Sequence, residues 1–138
     1  MLEIERSCLV VVDVQGKLAE LMFDKDKLYR NIEILVQSAN LLNMPILWCQ
    51  QNPKALGPTV EQISQHLKDH TPIDKFSFSC CGDETFVEKL NSLDCRHTII
   101  CGIEAHICVY QTAMDLLKMD YDVQVAADAI SSRTRENK

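Results

Sequence analysis

At 138 residues, 46% of them hydrophobic and 25% charged, the sequence has the length for one domain with a buried core and is short for two. Its formal net charge of −6, from acids scattered along the chain, argues against nucleic acid or an anionic membrane surface as the main partner, since each calls for a basic face. No apolar run approaches the roughly 20 residues of a membrane-spanning helix.

The first element is SCLVVVDVQ (7–15), a nearly continuous valine-rich run ended by Asp13 and Gln15, the pattern of a strand covered on both faces. KDKLYRNIEILVQSANLLNM (25–44) places Leu28, Ile32, Leu35, Val36, Ala39 and Leu42 at helical spacing. PILWCQ (45–50) reads as a second buried strand, with Pro45 at its start, where a missing N–H is tolerated. QNPKALGPT (51–59), with two prolines and a glycine, reads as loop. VEQISQHLKD (60–69) predicts a short amphipathic helix, and PIDKFSFSC (72–80) a short strand alternating about Phe76 and Phe78. DETFVEKLNSL (83–93) has the acidic first turn of a helix capped by Asp83. HTIICGI (97–103) is strand, CVYQTAMDLLKM (108–119) helix and DVQVAADAI (122–130) strand. This alternation predicts an α/β domain with a parallel sheet over residues 1–138. A doubly wound domain would be expected to add a further strand and helix after SSRTRENK.

The cysteine count is seven, an odd number, and Cys8, Cys49, Cys101 and Cys108 lie in or beside apolar runs, where a free thiol behaves as a small hydrophobe. No C-x-x-C spacing occurs, so no zinc site is expected. The first residues show no basic and apolar leader. Free thiols in a reducing, cytoplasmic compartment are the expectation.

Ligands of open α/β sheets bind beyond the C-terminal ends of the strands. Those ends deliver Asp13 and Gln15, then Gln50, Gln51 and Asn52, then Lys75, then the turn from Gly102 to Cys108, then Asp128. Asp13, Lys75 and Cys108 make chemical sense together. The thiolate is the nucleophile, and both a helix N-terminus and a nearby ammonium favour it. A carboxylate can take the thiol proton and return it to a leaving amine. Backbone N–H groups in the turn could hold an oxyanion. Each residue also has a structural reading: a cysteine after a strand packs, an aspartate caps a turn, and a lysine points to solvent. Spacing alone leaves both open.

Three stretches together resemble the isochorismatase-like cysteine hydrolase superfamily. LVVVDVQGKL resembles its first strand with a D-x-Q ending, IDKFSFS its lysine segment, and CGIEAHICVYQTAMDLL its nucleophile turn. WCQQNPKALGPTV, GIEA and DAISSR are similar to a subgroup of isochorismatase-domain proteins without a secure substrate. The resemblance implies a three-layer α-β-α fold with a mostly parallel, Rossmann-like sheet, and a catalytic triad of Asp13, Lys75 and Cys108. It implies a cis peptide at Ile103–Glu104 that turns the N–H groups of Glu104 and Cys108 toward the oxyanion. The implied reaction is hydrolysis of an amide-like C–N bond in a small-molecule substrate, by a homo-oligomer that requires no metal or organic cofactor.

Gln15, Gln51 and Phe76 are expected to line the pocket from their strand-end positions, and His106 to be peripheral rather than the base. Nicotinamidases carry a D-x-H metal motif where this chain reads CQQNPKALG, so a nicotinamidase-type metal site is not expected, nor is nicotinamide as the substrate. Two other readings stay open. One is a binding or scaffold protein on the same fold. The other is a redox-responsive thiol protein, suggested by the seven cysteines and the adjacent Cys80 and Cys81.

Overall fold

The apolar runs form the strands expected of them in the computed structural model, which describes residues 2–138. β1 (Ser7–Val12), β2 (Ile46–Gln51), β3 (Ile73–Lys75), β4 (His97–Ile103) and β5 (Asp122–Ser131) make one all-parallel sheet in the order β3-β2-β1-β4-β5. Every residue of β1 is buried, as expected for a central strand covered on both faces.

Successive side chains of a strand point to opposite faces, and β1 divides the core accordingly. Leu9 and Val11 pack with Ile32, Val36 and Ala39 of α2 (Lys25–Leu41). Cys8, Val10 and Val12 pack with Phe86 and Leu90 of α5 (Glu84–Ser92) and with Leu116 of α6 (Tyr110–Lys118). The result is a sheet between two helical layers. Asp83 caps α5, its carboxylate accepting from the Phe86 N–H at 3.0 Å.

The strand order reverses at β1. The chain runs outward through β2 and β3, then returns to the other side of β1 as β4. The crevice beyond the C-terminal ends of β1 and β4 is therefore the switch point at which such sheets bind ligands. The two strands come very close there. Gly102, at φ +124°, pairs with Val12, and a Cβ on it would lie 2.0 Å from the Val12 carbonyl oxygen, so only glycine fits.

Four local features differ from the expectation. Residues 16–20 form a short helix, α1 (Gly16–Glu20), immediately after the first strand. The 51–59 loop contains a helical turn, α3 (Pro53–Leu56), opened by a left-handed Asn52 with Pro53 in the first position, where its absent N–H costs nothing. The helix expected at 60–69 is a single turn, α4 (Glu61–Ser64), continued by tight turns such as His66 N–H to Ile63 O. The strand expected at 72–80 stops at Lys75, because the next residues fold back over that side chain. Among the described residues no helix is long and apolar enough to cross a membrane.

Candidate active site

Three chain segments meet at the switch point. Asp13 follows β1 directly in a left-handed conformation at φ +53°. Lys75 is the last residue of β3, brought alongside by the register Gln51↔Lys75. Cys108 lies in the turn after β4, a wide one in which the Val109 N–H reaches back five residues to the Glu104 carbonyl. The peptide between Ile103 and Glu104 is cis.

Lys75 is completely buried, and its ammonium has four acceptors. Asp13 Oδ2 and Gln51 Oε1 both lie at 2.8 Å, the Phe78 carbonyl at 2.9 Å and the Ser77 carbonyl at 3.0 Å. An ammonium carries only three N–H donors, so this one has no capacity left for a ligand. Burial pulls the Lys75 pKa down, but the charges of Asp13, Cys80 and Cys108 outweigh it and hold the ammonium above its ordinary value.

Asp13 uses one oxygen on Lys75. The other, Oδ1, is buried and has no hydrogen-bond partner among the described residues. Burial raises the Asp13 pKa more than the lysine lowers it, which moves the carboxylate toward the range of a general base. Cys108 differs from the sequence expectation. Burial and the neighbouring Asp13 charge outweigh the help of Lys75 and push the thiol up to about 12. The resting residue is a thiol, not a thiolate, so its proton must be removed as it reacts.

A cavity of about 120 Å³ opens onto this cluster. Asp13, Gln51, Ile103, Glu104 and Cys108 reach it, and Leu18, Leu56, Phe78 and Ile107 complete an apolar wall. Two expected lining residues lie elsewhere. Gln15 is fully buried behind the site, donating to the Gln51 and Gly57 carbonyls at 3.0 and 2.8 Å and accepting from the Gln51 N–H at 2.6 Å. It clamps the segment leading into α3. Phe76 is 75% exposed and stands outside the cavity.

The wall residues Leu18, Leu56, Phe78 and Ile107 were not anticipated. Phe78 shares the alternation of Phe76, and Ile107 adjoins Cys108, which were the available signals. The Glu104 carboxylate is held by Arg133, whose Nε lies 3.1 Å away and whose backbone N–H donates to it at 3.2 Å. His106 Nδ1 is 2.8 Å from Ser132 Oγ, and the residue does not line the cavity. Asp128 is exposed on β5, away from this cluster, and its carbonyl accepts from Asn31. Among the described residues no group of three or more histidines, cysteines or acids is placed to hold a metal.

The model of the isochorismatase domain matches residues 7–138. The secreted isochorismatase effector Isc1 of Phytophthora sojae is 38% identical over 136 residues, which take in 96% of this chain and 65% of the effector. Isochorismatase domain-containing protein 2 of Danio rerio is 38% identical over 134 residues, 96% of this chain and 66% of that protein. The chain thus spans a little under two thirds of the length of these relatives. Among solved structures, the MAR1 ribonuclease of Caenorhabditis elegans is similar at a TM-score of 0.91 and 35% identity, covering 99% of this chain and 70% of that one.

Proposed function

The chain belongs to the isochorismatase family of hydrolases, and from that premise we propose that it cleaves a small amide-like C–N bond through a Cys108 acyl-enzyme, with Asp13 as general base and Lys75 as the group that holds it. The observation that carries the reading is the division of labour on Asp13. One of its oxygens is locked to a saturated, fully buried ammonium, and the other has no hydrogen-bond partner among the described residues, beside a cavity that also receives a thiol.

Asp13 Oδ1 takes the Cys108 proton as sulfur attacks the substrate carbonyl carbon. The raised pKa values of both groups make this a transfer during reaction rather than a standing ion pair. The backbone N–H groups of Glu104 and Cys108 are assigned to the developing oxyanion. On collapse, Asp13 returns the proton to the departing nitrogen and ammonia or an amine leaves. The same carboxylate then deprotonates a water that attacks the thioester, which releases the acid and restores the thiol. Lys75 acts through Asp13: it fixes the carboxylate's orientation and stabilises its charged form. The free cysteines support a reducing compartment for this chain, whereas the P. sojae relative is by its name secreted.

The test is ammonia release from a panel of small amides by wild type and Cys108→Ala. Release by wild type that falls to background in Cys108→Ala is the expected result. Equal release by both, or none attributable to Cys108, leaves the binding-protein reading in its place.

A further inference from the structure

Each charge at or beside the cavity already has a partner inside the chain. The Lys75 ammonium has four acceptors for three protons. Asp13 faces that ammonium, and Glu104 is taken by Arg133. Among the described residues no lysine or arginine lines the wall, which is mostly apolar apart from Asp13, Gln51 and Glu104.

The polar atoms left to a ligand are an acceptor and a donor. Asp13 Oδ1 has no hydrogen-bond partner among the described residues, with the Cys108 thiol beside the carboxylate. Gln51 is fixed through Oε1 on Lys75, so its orientation is set and its Nε2 is left without a protein partner among the described residues. Asp13 Oδ2 and Gln51 Oε1 sit at the same 2.8 Å from one Nζ, so carboxylate and carboxamide are neighbours.

Building on the hydrolase reading, we propose that this cavity selects small uncharged amides with a short apolar acyl group and rejects amides that carry a carboxylate. The adjoining acceptor and donor suit the N–H and C=O of a neutral amide. A carboxylate would lose its hydration to an apolar wall without gaining a counter-charge. It would also face Asp13, and at roughly 5 Å and an effective dielectric of about 20 that repulsion weakens binding by at least about tenfold. Size points the same way. A cavity of about 150 Å³ accommodates benzene, so the 120 Å³ found here has room for about five non-hydrogen atoms.

Iodoacetamide and iodoacetate are close in size and differ in charge. The test compares their second-order rates at Cys108 in the wild-type chain, read by peptide mass spectrometry at one alkaline pH, each divided by its rate with 2-mercaptoethanol. The expected amide-to-acid preference exceeds that of the free thiol by at least about tenfold. Leu56→Lys, which adds a cation to the wall, should lower that preference by about fivefold or more. A preference equal to that of 2-mercaptoethanol, labelling by neither reagent, or a preference unmoved in Leu56→Lys overturns the proposal. Failure of the two readings can be told apart. An amide panel without turnover sinks the hydrolase reading and leaves the labelling ratio standing. Cys108-dependent turnover that favours a carboxylate-bearing amide over its neutral analogue sinks the selectivity and leaves the hydrolase standing.

Discussion

Lys75→Met removes a charge from the centre of the site while keeping most of the aliphatic stem. Four acceptors lose their donor: Asp13 Oδ2, Gln51 Oε1 and the carbonyls of Ser77 and Phe78. Asp13 becomes a buried carboxylate without a cation. Breaking a buried pair from one side costs about 3–5 kcal/mol, and at about 3 °C per kcal/mol for a chain of this size Tm should fall by about 12 °C. Urea unfolding followed by the fluorescence of Trp48, the one tryptophan, measures the loss.

The pH dependence has a definite sign. Without the ammonium the Asp13 pKa, already held above the ordinary carboxylate range by burial, rises further. Between the unfolded and folded values the native state then binds a proton that the unfolded chain does not, so its stability falls as pH rises. The deficit of Lys75→Met should accordingly shrink between about pH 7.5 and about pH 5, and Asp13→Asn in the same background should restore most of the loss. A deficit below about 1 kcal/mol, or one equally large at both pH values, refutes an enclosed, saturated ammonium.

Other expectations follow from the same geometry. Cys108→Ala should keep the fold and lose turnover, and circular dichroism with an ammonia assay checks both. Asp13→Asn should separate two properties. Hydrolysis should fall by about 10²–10⁴-fold with the loss of the base, while alkylation of Cys108 should quicken, because the Asp13 charge that raises the thiol's pKa is gone. Slower alkylation in that variant contradicts the assigned electrostatics. In the wild type a thiol at about 12 rather than 9.0 holds about 10³-fold less thiolate at neutral pH, so Cys108 should label far more slowly than an ordinary thiol. Gly102→Ala should cost more than about 4 kcal/mol, from its clash with the Val12 carbonyl; a Tm close to that of wild type contradicts the close strand approach.

Most of the architecture could be read from local pattern, because buried parallel strands are short apolar runs and the long helices have a clear apolar stripe. What escaped depended on partners distant in sequence. The segment after Lys75 alternates like a strand, yet it folds back to give the Ser77 and Phe78 carbonyls to the ammonium, which moves Phe76 out to solvent and Phe78 to the cavity. Gln15 sits at a strand end like a ligand-binding group, but its carboxamide matches the backbone of Gln51 and Gly57 36 and 42 residues away, and it became a clamp. Asp13 and Cys108 were legible from their places at strand ends. Lys75 was legible as a residue of a short strand, but its place beside Asp13 comes from the register of β3 on β2, which no local pattern reveals. The thiol's pKa was misjudged because the sequence shows the helix start and the lysine but not the burial that outweighs them.

In the proposed reaction Cys108 carries the acyl group and Asp13 is the base. The most direct measurement mixes the protein with a small neutral ester, p-nitrophenyl butyrate, quenches it in acid and locates the acyl group by peptide mapping. A butyryl group is expected on Cys108 in the wild type, a longer-lived one in Asp13→Asn, where no base activates the water that would release it, and none at that site in Cys108→Ala. Acylation spread over other side chains and unchanged in Cys108→Ala would contradict that reaction.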